Sequence, residues 1–447
     1  MKGIYLMAVK VIGAGLAGCE AAWQLAKAGI DVELYEMKPK KFTPAHKYMG
    51  FAELVCSNSL RSDRLENAVG LLKEELRLLD SLVMRAADAT RVPAGGALAV
   101  NRKEFSDYIT KAIKSDPNVT IIEEELTKIP EDEITIVATG PLTSDAMADY
   151  IARLTGSEHL HFFDAAAPIV TRQSIDFSRA YTASRYDRGS DYVNCPMEID
   201  EYTAFYRELI NAQCVELKGF EGNNVFEGCM PVEVMAKRGE KTLLFGPLKP
   251  VGLIDPHTGK EPYAVVQLRK EDKEGTMYNL VGFQTHLKFG EQKRVFSMIP
   301  GLKEAEFIRY GVMHRNTYIN SPKLLNDHYQ LLKNPNIYFA GQITGVEGYV
   351  ESTASGYYCA ISAASQFLGE ELPILSDCTA VGALASYVSG SVSADFQPMN
   401  INYGIIRESE QRIRKKAERY AYLAERSLDE IRRFTYGKYD GNDDCRS

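Results

Sequence analysis

Residues 8–36 constrain this chain more tightly than any other stretch. Ala8–Ile12 is mostly apolar and β-branched, as expected of a strand buried in a parallel sheet. Gly13-Ala14-Gly15-Leu16-Ala17-Gly18 follows. A helical stretch then runs from Cys19 to Lys27 and stops at Gly29, and a second strand from Asp31 to Tyr35 ends at Glu36. Strand, G-x-G-x-x-G, helix, strand and acid, in that order, predict a dinucleotide site. The glycines permit a tight turn and close approach of the backbone to a pyrophosphate. The helix N-terminus adds N–H groups and partial positive charge. Glu36 stands where a carboxylate can hold the ribose hydroxyls of an adenosine. A glycine-rich turn with no ligand has no use for all three glycines.

Two later segments decide between dinucleotides. Ile134–Gly140 reads as a strand closing on Ala138-Thr139-Gly140, and Asn336–Gln342 as a strand reaching Gly341. Gly345, Gly348 and Gly356 follow, with a helix rich in small residues from about Ser352 to Leu368. These segments resemble the middle and C-terminal FAD segments of the FAD-binding superfamily. Gln342 replaces the usual Asp, and its amide can still bond a ribityl or phosphate oxygen. The expected fold is α/β: a discontinuous Rossmann-like FAD-binding domain (7–150 and 330–447) with an inserted α+β domain (151–329). In the insert, Tyr202–Ala212 reads as a helix, and Thr242–Phe245, Ala264–Leu268 and Tyr278–Phe283 read as strands. A C-terminal helix is expected over about Glu408–Phe434, with Ile413, Ala417, Tyr420, Ala424 and Ile431 facing inward.

Bulk properties exclude several classes. At 447 residues and 45% hydrophobic, the chain can bury ample core without disulfides. It lacks the roughly 20-residue apolar run of a membrane span. Met1–Met7 lacks the apolar region of a signal peptide, so no membrane association and a cytoplasmic location are expected. The net charge of -8 disfavours nucleic-acid binding by the whole surface and leaves room for a local basic face. The eight cysteines include no C-x-x-C pair, so no metal set is read from their spacing. Nothing in the sequence reports oligomeric state.

Two cysteines sit in unusual company. Phe51–Arg61 crowds Glu53, Cys56, Ser57, Asn58, Ser59 and Arg61 just beyond the second strand, where α/β sheets bind ligands. Cys229 lies between Gly228 and Met230-Pro231 in an expected turn. Each is a candidate nucleophile or acid/base; the alternative is a buried structural thiol.

These stretches carry a specific resemblance. GAGLAGCEAA, FAELVCSNSLRSD, PAGGALAV, FEGCMPVEVMA, GFQTHLKFGEQKRVF, FAGQITGVEGYVES and FQPMNINYG span nearly the whole chain. In that order they resemble the bacterial folate- and FAD-dependent tRNA (uracil-5-)-methyltransferases. The resemblance implies methylenetetrahydrofolate as carbon donor, reduced FAD as reductant, NAD(P)H to re-reduce the flavin, and a T-loop uridine of tRNA as target. It implies cofactor contacts at Gly13, Ala14, Gly15, Leu16, Ala17, Gly18, Glu36, Gly140, Gly341, Gln342 and Gly348. Cys56 is matched to the nucleophile and Cys229 to the proton acceptor, a division the sequence leaves open. His286 and Tyr349 are the rings expected to stack on the pterin. The expected RNA face draws on Lys38, Lys40, Lys41, His46 and Lys47; on Arg172, Arg179, Arg185 and Arg188; and on Arg412–Arg419. After Gly404, Ile405–Glu410 departs from the family's Pro-rich link. The alternatives are the same chemistry on ribosomal RNA, a small-molecule flavin oxidoreductase, and a non-catalytic FAD-stabilised RNA-binding protein.

Overall fold

The computed structural model describes residues 8–43, 45–156, 160–165, 167–187, 189–215, 230–272, 274–311, 313–390, 396–410 and 413–440. The chain begins with β1 (Val9–Ile12), α1 (Leu16–Lys27) and β2 (Val32–Tyr35), then α2 (Ala68–Leu78), β3 (Val119–Ile122) and β4 (Thr135–Val137). After a long excursion it returns as β5 (Gln330–Leu331), β6 (Asn334–Phe339), α3 (Tyr349–Leu368), α4 (Ala380–Gly390) and α5 (Lys416–Asp440). One six-stranded sheet results, in the order β5-β6-β4-β1-β2-β3. Only the β5–β6 pair is antiparallel. β6 lies parallel to β4 with Ile337 opposite Thr135 and Phe339 opposite Val137, although the excursion separates them in sequence. Val9, Val11, Ile136 and Val137 are fully buried, which explains the apolar character of the central strands.

The excursion builds its own six-stranded sheet. Tyr192–Met197, Ala264–Lys270 and Met277–Leu280 are its central antiparallel strands. Helix Ile199–Asn211 packs Tyr202, Phe205 and Leu209 into this second core, where Phe283 meets Phe296 edge-on at 5.3 Å. Where the chain leaves and re-enters, Leu160–Ala165 pairs antiparallel with Met313–Tyr318. Among the described residues no helix is long and apolar enough to cross a membrane.

Several expected elements differ. Thr242–Phe245 is a single helical turn rather than a strand: Leu243 alone is buried, Phe245 is 82% exposed, and Gly246 ends the turn. A run of four residues carries no period that separates helix from strand. The last helix starts at Lys416, not Glu408, and Ala417 faces solvent. Its inward face is Leu423, Ala424, Ser427, Leu428 and Ile431. α1 and α3 each begin three residues earlier than expected, so Gly18 lies inside α1.

Glu75 on α2 ties these C-terminal helices together. Its carboxylate accepts from the N–H groups of Ala380 (2.7 Å) and Val381 (2.9 Å) at the start of α4, and from Ser427 Oγ on α5. Burial pushes its carboxyl up to about 7 from 4.5, against those bonds, which favour the anion. The stability tied to its proton is therefore full below about pH 4.5 and lost as pH rises through about 7. Glu75→Gln should remove this limb. The stability gap between wild type and variant, from urea denaturation at about pH 5 and about pH 8, should change by on the order of 3 kcal/mol.

Candidate active site

The glycines at the β1–α1 turn act in three different ways. Gly13 has φ +100°, and a Cβ there would stand 2.7 Å from the Ala138 carbonyl oxygen on the neighbouring turn. Gly18 packs α1 onto the turn, since its Cβ would lie 1.8 Å from the Gly13 oxygen. Gly15 has open space where a side chain would stand, and it lines a cleft enclosing about 1130 Å³ with its mouth included. Ala14, Leu16 and Ala17 line the same cleft, as do Glu36, Gly140, Gly341, Gln342 and Tyr349. α1 has no acidic residue in its first turn, so its N-terminal partial charge is left for an anion. Glu36 Oε2 accepts from Ala14 N–H (2.9 Å) and Oε1 from Lys38 N–H (2.9 Å), which aims the carboxylate along the wall. Gly356 lets α3 cross α1 closely, because a Cβ there would lie 2.3 Å from the Ala17 oxygen. The donor set fits a pyrophosphate at α1 and a ribose at Glu36.

Gln342 and Tyr349 also line a second cavity, enclosing about 1050 Å³ with its mouth included, which the half-buried Cys56 lines as well. Gly348 lines this cavity with Arg61, Arg269 and Gln284. The thiol-bearing loop is fixed through its backbone. Arg102 donates to the Leu54 carbonyl (2.6 Å) and the Cys56 carbonyl (3.5 Å), and Arg309 to the Val55 carbonyl (2.5 Å). Glu271 holds Arg102 at Nε (2.7 Å) and at Nη2 (3.3 Å). Burial works against the charge on Arg102, and Glu271 outweighs it, so its pKa rises. Arg269 donates to Asn58 Oδ1 (3.1 Å) and Ser57 Oγ (2.8 Å). On the other side, Tyr349 Oη accepts from the N–H groups of Cys56 (2.8 Å) and Ser57 (3.3 Å). Burial raises the Tyr349 phenol, and the neighbouring Cys56 raises it further. Tyr349 therefore stays protonated. Arg61 pairs with the fully buried Glu351, which also accepts from Ile401 N–H (3.1 Å). That anchors the 396–402 segment against the first turn of α3.

The structure brings Cys56, Gln342 and Tyr349 to one cavity; sequence reasoning gave each a separate role without placing them together. It missed Arg102, Arg269, Glu271 and Arg309. These come from distant segments, and the one local signal is Arg269 following the apolar Ala264-Val265-Val266 start of the Ala264–Lys270 strand. Cys229 lies outside the described residues. His286 lines neither cavity: its Nδ1 lies 2.6 Å from Glu233 Oε1, while Gln284, two residues earlier, takes the cavity wall.

The basic clusters divide. Lys38 is buried and donates to the carbonyls of Tyr48 (3.2 Å) and Gly50 (2.5 Å). Lys41 pairs with Glu125 at 2.6 Å. His46 lines the dinucleotide cleft, and burial, with the charge of Lys38, lowers its pKa to about 4, so it is neutral at pH 7. Arg185 is spent on the carbonyls of Val251 (2.7 Å) and Lys249 (2.6 Å), and Arg179 pairs with Glu201. Arg188 and Arg412 lie outside the described residues. Lys40, Lys47, Arg414, Lys416 and Arg419 are exposed.

The fold and these two joined cavities define a dinucleotide-binding α/β protein with a thiol beside the cofactor cleft. The family model described as "Glucose inhibited division protein A" matches residues 8–371. The methylenetetrahydrofolate--tRNA-(uracil-5-)-methyltransferase TrmFO of Acetivibrio thermocellus is 62% identical over 427 residues, covering 95% of this chain and 98% of the relative. That of Listeria monocytogenes is 60% identical over 426 residues, 95% of this chain and 98% of its own. This chain belongs to the methylenetetrahydrofolate--tRNA-(uracil-5-)-methyltransferase family. In fold it also matches Aquifex aeolicus GidA, with a TM-score of 0.70 at 17% identity, over 97% of this chain and 74% of that one.

Proposed function

We propose that this protein methylates carbon 5 of a T-loop uridine in tRNA, taking the carbon from methylenetetrahydrofolate, with FAD in the glycine-lined cleft. The observation that carries this reading is the thiol of Cys56 in a cavity that shares Gln342 and Tyr349 with that cleft. Carbon 5 of uracil is a weak nucleophile, and a thiolate adding to carbon 6 makes it enolate-like. Cys56 supplies that thiolate. Once the methylene carbon is attached, the carbon-5 proton leaves to a base, assigned to Cys229. That proton loss drives tetrahydrofolate off the attached carbon and leaves an exocyclic methylene on carbon 5; hydride addition to this methylene then expels the Cys56 thiolate and restores the ring. FAD held by the Gly13–Gly18 turn and Glu36 would, when reduced, supply that hydride, and NAD(P)H would renew it.

The chain's own part is positioning. Arg102 and Arg309 fix three successive carbonyls, at Leu54, Val55 and Cys56, so the thiol does not turn with its loop. Tyr349 holds the two N–H groups on the opposite side and presents its ring to both cavities, where the pterin must lie to meet the flavin. His286 is assigned no pterin contact, because it lines neither cavity. The target uridine must leave its loop to reach this depth. The exposed Lys40, Lys47, Arg414, Lys416 and Arg419 are the RNA-facing cations, and a tRNA-modifying activity belongs in the cytoplasm.

Arg102→Leu should lower kcat by about 10–100-fold with FAD content unchanged, the range for charge-assisted bonds of roughly 1.5–3 kcal/mol. The test of the function itself uses purified protein, labelled methylenetetrahydrofolate, NADPH and an unmodified tRNA transcript. Label in one T-loop uridine supports the reading. Label in ribosomal RNA alone moves the target, and label in neither RNA with a reducible flavin removes methyl transfer.

A further inference from the structure

Away from both cavities, Cys214, Glu233 and His286 meet. A sulfur, a carboxylate oxygen and an imidazole nitrogen, one from each, all lie within 4.8 Å of one another. Glu233 is fully buried and His286 is 7% exposed, while Cys214 is only partly covered, which leaves a way in from solvent. No step of the proposed methyl transfer uses these three groups.

We propose that Cys214, Glu233 and His286 form a zinc site, with water as the fourth ligand. The donor set mixes thiolate, imidazole and carboxylate, which suits this ion. Tetrahedral zinc with bonds of about 2.0–2.3 Å sets its ligand atoms roughly 3.3–3.8 Å apart. The two separations to the Cys214 sulfur lie within 4.8 Å, so closing on the ion takes at most about 1.5 Å. Glu233 Oε1 and His286 Nδ1, at 2.6 Å, must part by about 0.7 Å, the ion taking the place of a proton between them.

The supporting contacts are already made. Glu233 accepts from Thr285 Oγ1 (2.8 Å) and from His286 N–H (2.8 Å), which fixes the carboxylate as an outer hydrogen-bond shell should. Cys214 bridges antiparallel to Leu287, with Val215 N–H donating to the His286 carbonyl (2.8 Å) and Lys288 N–H to Gln213 (3.0 Å). Val232 N–H donates to the Gln284 carbonyl (2.8 Å), which seats helix Val232–Lys237 beside the same chain end. Three segments thus bring their donors together, with only small side-chain shifts left for the ion to impose. Residues 215–232, which carry Cys229, run between the first two ligands, so the ion clips both ends of that stretch.

The test uses FAD-loaded protein stripped of metal by chelation and titrated with Co²⁺. One Co²⁺ per chain is expected, with intense ligand-field bands in the red, where oxidised flavin is transparent, and Zn²⁺ should displace it. Cys214→Ser and His286→Gln should weaken uptake by at least about 100-fold with flavin content unchanged. Cys378→Ser should bind as wild type does. Uptake without red bands, uptake unchanged by Cys214→Ser, or no uptake overturns the site. If His286→Gln fails to fold, the partly exposed Cys214→Ser decides alone.

Discussion

Cys56→Ala should leave FAD bound and stop methyl transfer, with the rate falling by on the order of 10³-fold or more. The size of the effect follows from the role. Without a sulfur to add at carbon 6, carbon 5 has no enolate character, and among the described residues no other thiol lines that cavity. Folding should be spared because the loop is held by its backbone: Arg102, Arg309 and Tyr349 contact the carbonyls and N–H groups of residues 54–57. The measurement is single-turnover label transfer to tRNA alongside flavin content and flavin reduction by NADPH. A variant with normal flavin reduction and normal transfer would remove Cys56 from the chemistry and move the nucleophile to Cys229.

Gly18→Ala should abolish FAD binding, lowering flavin per purified chain by more than about 100-fold or preventing folding. Its Cβ would meet the Gly13 carbonyl oxygen at 1.8 Å, and that neighbour is backbone at the tightest point of the turn. Nothing flexible can yield, so α1 must move off β1 and carry its N-terminal N–H groups away from the pyrophosphate position. Gly15→Ala is the comparison. It meets nothing within 4 Å, so the chain should fold normally while the added methyl intrudes on the ligand's side. Normal flavin content in Gly18→Ala would show that the turn is not the anchor of the cofactor.

Much of the cofactor half was legible because its signals are local. Strand, glycine turn, helix and Glu36 lie within one short stretch, and their physics acts over a few residues. The last helix was legible only in outline. Its periodicity extended past Lys416, but burial of Leu423, Leu428 and Ile431 against α2 decides where a helix forms. Upstream of it, Met399 bonds the loop before α3 and Ile401 the first turn of α3. Thr242–Phe245 failed for the opposite reason, being too short to carry a period.

By itself the sequence determined the dinucleotide fold, its completion by a distant C-terminal segment, and Cys56 as a thiol in polar company; that β6 lies beside β4 was decided by the structure. Tertiary structure alone decided which charges serve the site. Lys38, Lys41 and Arg185 read as an RNA face, yet carbonyls and one carboxylate of the chain itself claim them. Arg102, Arg269 and Arg309 read as nothing in particular, yet they converge on one loop from three segments. The physical reason is range. Turn sterics and helix dipoles act between near neighbours in the chain, whereas a buried charge is held by whichever partner the fold brings within about 3 Å.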